Sequence, residues 1–168
     1  MSIALIVTIL ASPASFAKII ESHSIALNFS LKDQNDKLLE LSKLRGKIIV
    51  ITASGRKGAD DNKVWGEAIG KEYGDKLFYF GAADLRGVPP IFRWFALQIT
   101  QKTAPPGISV LLDWEGKIFK AYDLVPEVSN VIVIDKYGKI RAKEAGKCSK
   151  ESLQRLFIVL DKIMGEGN

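Results

Sequence analysis

The stretch that most constrains this chain is Lys47 to Lys63, KIIVITASGRKGADDNK. Ile48, Ile49, Val50 and Ile51 form an unbroken β-branched run, which suits a strand buried on both faces in the middle of a sheet covered by helices. Ser54, Gly55, Arg56, Lys57 and Gly58 interrupt it, since two glycines and a serine favour backbone angles that continue neither strand nor helix. Asp60, Asp61 and Asn62 are helix-start residues, with side-chain oxygens for free backbone amides and charge suited to the positive end of the dipole. Val64, Trp65, Ala68, Ile69, Glu72 and Tyr73 then recur at helical spacing until Gly74 stops the helix. In an open α/β sheet such a strand-to-helix loop lies at the carboxyl ends of the strands, where ligands bind.

Composition narrows the function classes. The net charge is +5, from 24 basic and 19 acidic residues, but no block of five Lys or Arg occurs, so no nucleic-acid partner is expected. The single cysteine, Cys148, rules out an intramolecular disulfide and a CxxC pair. With one histidine, His23, neither a histidine-rich zinc site nor a Ser-His-Asp relay is readily built; no metal and no cofactor are expected.

At the N-terminus, the apolar run Ile3 to Leu10 and the small residues of Ser15-Phe16-Ala17 read as a cleavable signal peptide over residues 1–17. Residues 18–168 then form one domain, placed in the periplasm or secreted, with no stable membrane insertion of the mature chain. Met1-Ser2 carries no Lys or Arg, which keeps open a buried N-terminal element in a cytoplasmic protein.

Further along, Ile25 to Asp33, a turn at Gln34 to Lys37, and Leu38, Leu39 and Leu41 describe an N-terminal β-hairpin. Leu77 to Ala83 is a second central strand, ending at Asp84. Val88-Pro89-Pro90 opens a helical insertion with Ile91, Phe92, Phe95 and Ile99 on an apolar stripe, joined by Trp94 and Leu97 and expected to pack on the core, with an exposed partner or lipid surface as the alternative. It closes at Ala104-Pro105-Pro106-Gly107. Ile108 to Leu112 is a short strand, Asp113 to Gly116 a turn, and Ile118, Phe119 and Tyr122 a brief helix or extended stretch. Val131 to Ile134, the Asp135 to Gly138 turn and Lys139 to Lys143 form a hairpin with Gly138 at a positive φ. Ser149 caps a last helix with Leu153, Leu156, Phe157, Leu160 and Ile163 on one face.

The phrases FSLKD, LRGKIIVI, VLLDWEGKIFKAY and NVIVIDKYGKI, with the helix after AGKCS, resemble the redoxin, peroxiredoxin and TlpA-like group over most of residues 25–164. GKIIVITASGR and DLVPEVSNVIVIDKYGKIRA are similar to the YtfJ-like exported proteins. The resemblance implies an α/β, thioredoxin-like three-layer fold: a central mixed β-sheet flanked by helices, with an N-terminal β-hairpin and a helical insertion. Redox-active relatives carry a cysteine at the helix start and a cis-proline facing it; this chain has Ser54 to Gly58 and Ser129-Asn130-Val131 there. Dithiol exchange and cysteine peroxidase chemistry are therefore not expected, and Cys148 reads as an inert thiol far from that site.

The same pole would gather Ser54, Gly55, Arg56, Lys57, Asp84, Arg86 and Asn130. Backbone amides with Arg56, Lys57 and Arg86 could hold a carboxylate, phosphate or sulfate, with Asp84 orienting Arg56. The reading is a non-catalytic module binding a small anion or a protein or peptide partner. Two alternatives stand beside it: an enzyme working through Ser54 or Asp84 without sulfur, and a loop that is merely solvated.

Overall fold

The computed structural model describes residues 24–166; the expected signal peptide and His23 lie outside them. Seven strands and four helices of five residues or more occur among these residues. Strands β1 (Ser30–Lys32) and β2 (Leu38–Glu40) pair antiparallel as the N-terminal hairpin, its turn pinned by Asp33. The Asp33 carboxylate accepts from the amides of Asn35 and Lys37 and from the Ser109 hydroxyl. Strand β3 (Ile49–Ser54) enters the sheet and feeds helix α1 (Ala59–Tyr73) through a 3-10 turn at Arg56–Gly58. Strand β4 (Phe78–Asp84), helix α2 (Arg93–Thr103), strand β5 (Val110–Asp113) and helix α3 (Lys117–Ala121) follow. The hairpin of β6 (Asn130–Ile134) and β7 (Ile140–Ala145) leads to helix α4 (Lys150–Gly165).

The main sheet runs β5-β4-β3-β6-β7, with β3, β4 and β5 parallel and β6 and β7 antiparallel to their neighbours. Every residue of β3 is buried, as its β-branched run requires. Ile49, Ile51 and Ala53 point to one face, where Phe29, Leu41, Ile118, Phe119 and Tyr122 cover them. Val50 points to the other, beneath Trp65 and Ile69 of α1 and Leu156 and Leu160 of α4. The three-layer α/β arrangement with a mixed central sheet and an N-terminal hairpin is as expected.

Local signals in the sequence act as read. Gly138 has φ +79°, and a side chain there would collide with the Arg45 guanidinium, which donates to the Tyr137 carbonyl. Ser149 accepts from the Ser152 amide at 3.1 Å while the Ser152 hydroxyl accepts from the Ser149 amide at 2.8 Å, a reciprocal cap. The residues expected to be a brief helix or an extended stretch form α3, started by the buried Asp113 carboxylate, which accepts from the amides of Lys117 and Ile118.

The helical insertion forms, but its expected burial is corrected. No residue of α2 is buried, and Ile91, Trp94 and Phe95 are 82%, 65% and 56% exposed. The side turned to the body carries the half-buried Ala96, Leu97 and Thr100; beside them the Gln101 amide donates to the Gln34 carbonyl at 2.8 Å, and Arg93 lies 5.1 Å over the Trp114 ring. Periodicity identifies an apolar stripe without saying that a core awaits it.

Replacing Ser149 by Ala removes one half of the α4 cap. The expected cost is about 1 kcal/mol, seen as a Tm lowered by roughly 2–4 °C in thermal unfolding.

Candidate functional site

The carboxyl ends of β3 and β4 and the amino end of β6 meet at one pole, because Ala53 pairs with Asn130 and Ser54 with Ala83. A strand end buried on both faces leaves backbone groups that need partners. The loop of residues 125–129 supplies them. The Gly55 amide donates to the Pro126 carbonyl at 2.7 Å, and the Asn130 side-chain amide donates to the carbonyls of Ala53 (2.9 Å), Val125 (2.8 Å) and Val128 (3.1 Å). The Asn130 side-chain oxygen accepts from the Val125 amide at 3.2 Å, so both ends of the side chain are in use.

Beside this clamp runs a second polar chain. Asn62 donates to the Ser54 hydroxyl oxygen at 2.8 Å and accepts from the Ser129 hydroxyl at 2.5 Å. Ser54 and Ser129 are both buried. Gly58 lets the 3-10 turn press on the loop: a Cβ there would lie 2.5 Å from the Val128 carbonyl carbon and 2.6 Å from the Ser129 nitrogen. At the positions where redox relatives place sulfur and a cis-proline, this chain has hydroxyls joined by an amide. Among the described residues no peptide bond is cis.

The remaining site residues divide cleanly. Asp84 orients Arg86, not Arg56: the guanidinium donates to both carboxylate oxygens, at 2.8 and 2.6 Å. This bonding is the main cause holding the Asp84 carboxyl below its ordinary range. Arg86 also lies 5.4 Å over the Phe119 ring and passes Gly116, whose φ of +71° and missing side chain admit it. Arg56 and Lys57 are exposed and make no side-chain hydrogen bond or ion pair with any described residue. The amides of Gly55, Gly58 and Ala59 are already bonded to protein carbonyls.

Asn62 and Ser129 were not singled out by the sequence as site residues. Asn62 reads locally as a helix-start residue, whereas both of its side-chain partners lie outside its own helix, Ser129 being 67 positions away. Cys148 half-buries against the cluster under α1 and α4, with its thiol pushed up by burial and then by the charge of Asp61. Among the described residues no cluster of His, Cys, Asp and Glu could hold a metal ion.

Two outcomes follow. Gly58→Ala must displace the loop backbone, and is expected to cost roughly 1–3 kcal/mol by thermal unfolding. A carboxyl whose folded pKa is depressed stabilises the fold above its unfolded pKa of about 4, a contribution lost as pH falls through the folded value. Asp84→Asn should therefore lower Tm at neutral pH and narrow its gap to the wild type in acid, as measured by unfolding across that range.

Comparisons place this geometry among known proteins. A family described as "Bacterial protein of unknown function (YtfJ_HI0045)" matches residues 97–163. Among curated proteins, none matches the chain. Solved structures share the fold at low identity. The exposed lipoprotein thioredoxin Etrx1 from Streptococcus pneumoniae strain TIGR4 has a TM-score of 0.62 and 19% identity, over 77% of this chain and 97% of that one. A candidate thiol:disulfide interchange protein DsbE from Chlorobium tepidum gives 0.66 and 15%, over 86% and 98%. A DsbF homologue from Corynebacterium diphtheriae gives 0.64 and 18%, over 91% and 97%. With one cysteine in place of a pair, this chain has the thioredoxin fold of these structures and is similar, over residues 97–163, to the family described as YtfJ_HI0045.

Proposed function

We propose that this is an exported, non-catalytic thioredoxin-fold protein that binds an anionic ligand, a small anion or an acidic peptide, at Arg56 and Lys57. The observation that carries the reading is the contrast at the pole. The polar groups around Ser54, Asn130 and Asp84 are bonded to one another, while two adjacent cations stand exposed without a described partner. They precede the amino end of α1, whose dipole has the same sign, although Asp60 and Asp61 in its first turn offset part of that field.

An enzymatic reading through Ser54 finds no support in the geometry. A serine nucleophile needs a neighbour that takes its proton, and the Ser54 hydroxyl instead accepts a hydrogen bond from the neutral Asn62 amide. Thiol exchange lacks its second sulfur, and the raised pKa of Cys148 leaves little thiolate at neutral pH. Export is supported by the Ile3 to Leu10 run and Ser15-Phe16-Ala17 of the sequence.

The test is a thermal-shift series on the full chain with phosphate, sulfate, nucleotides, small carboxylates and acidic peptides. A ligand at a hundredfold excess over its Kd adds about 2.7 kcal/mol to the folded state. At least one anion should raise Tm, and the rise should vanish in Arg56→Ala/Lys57→Ala, whose own Tm stays near the wild-type value because both side chains are exposed. A shift that survives the double substitution, or no shift with any anion, removes this loop as the site. In parallel, insulin reduction by the wild type and by Cys148→Ser should both remain at background.

A further inference from the structure

From the outward face of α2 we infer a second surface, separate from the Arg56 loop: a docking ridge for an anionic lipid bilayer. Surface helices of globular proteins turn their apolar stripe inward; α2 is mounted the other way round. Its inner side holds the body through Arg93 and Gln101, while Ile91, Phe92, Phe95 and Ile99 face outward, 82%, 57%, 56% and 46% exposed. These positions fall on one stripe, and Lys102 lies on the same side one turn beyond Gln98.

Charge selects the occupant. From residue 85 to residue 112 the sequence contains no Asp or Glu, while it holds Arg86, Arg93 and Lys102, in a chain of net charge +5. Arg86 is held by Asp84 and Arg93 lies on the inner side over Trp114, which leaves Lys102 as the cation of the outward face. A second copy docking through the same patch would bring like charge against like charge. Shape points the same way. The outward side carries exposed apolar side chains, whereas the cleft beside the helix lies on its inner side, where Leu97 and Gln101 face Asp33 and Trp114. An aromatic and aliphatic helix face that ends in a lysine and carries no acid is a form that lies in the headgroup region of anionic membranes. Among the described residues no helix is long and apolar enough to cross a membrane, so the attachment is peripheral.

Co-sedimentation of the full chain tests this, with vesicles of phosphatidylcholine alone and of equal parts phosphatidylcholine and phosphatidylglycerol. The wild type should pellet with the mixed vesicles and be released by salt. Ile91→Ser/Phe95→Ser should lower the partition constant roughly tenfold or more, since two large apolar side chains leave the interface. Lys102→Glu should weaken binding to the mixed vesicles and leave any binding to neutral ones unchanged. Equal pelleting of the wild type and the double variant overturns the inference, because both share the apolar Ile3 to Leu10 run. So does a double variant whose only change is lost self-association in sedimentation velocity, which would assign the ridge to a second copy. If the double variant does not fold, Phe95→Trp keeps the face apolar. Its fluorescence, in excess of the wild type, should be quenched by brominated lipid in mixed vesicles, and an absence of quenching overturns the inference.

Discussion

The burial of β3 on both faces is the constraint from which the remaining structure follows. A strand whose six residues are all removed from water needs a layer on each side, and the chain provides α1 and α4 on one and the hairpin with α3 on the other. Large side chains seal these layers: Trp65 above Val50, and Phe80 with Phe29 edge to face at 6.2 Å. The same burial dictates what happens at the strand's end. The carbonyl of its penultimate residue, Ala53, accepts from the Asn130 side chain and the amide of Gly55 just beyond it donates to the Pro126 carbonyl, so residues 125–129 close over the pole.

That closure decides the chemistry on offer. A thiol pair exchanges electrons because sulfur can be left as a thiolate; a hydroxyl–amide–hydroxyl chain has no group that ionises near neutral pH. Ser54, Asn62 and Ser129 therefore act as internal cross-links between β3, α1 and the loop. What remains for recognition is peripheral to them: side chains on the rim, whose charge is permanent and whose hydrogen-bonding capacity is unspent. The fold shared with those solved structures here surrounds a pole whose interior polar groups are bonded to one another.

Features set by neighbouring residues were legible in the sequence. The β-branched run of β3, the Gly138 turn and the Ser149 cap each rest on conformational preferences acting over a few positions. Ser54, Asp84 and Asn130 are terminal residues of β3, β4 and β6, and Gly55, Arg56, Lys57 and Arg86 follow on the adjoining loops, a placement that strand order implies. Their individual roles were not legible. Asn130 is a backbone clamp, Asp84 serves Arg86, and Asn62 joins two serines, all through contacts made only once distant segments pack. The orientation of α2 was hidden for a similar reason. Its stripe is visible in the spacing of Ile91, Phe95 and Ile99, but which side touches the body depends on Gln34 and Trp114, which belong to other elements.

The lead-in to the fold ties both borders of the main sheet. Ile25 bridges Lys139 beside β7, and Asp33 bridges Leu111 on β5, so one continuous segment crosses the sheet from one outer strand to the other. The Gln34 side chain completes the second tie, donating to the Ile108 carbonyl and accepting from the Val110 amide. During synthesis the first of these residues to emerge has no docking place until the β6–β7 hairpin is made. The lead-in from Ile25 is thus among the last parts to settle. Once settled, it occupies hydrogen-bonding groups on both outer strands through which another extended chain would lengthen the sheet, a safeguard against edge-to-edge aggregation.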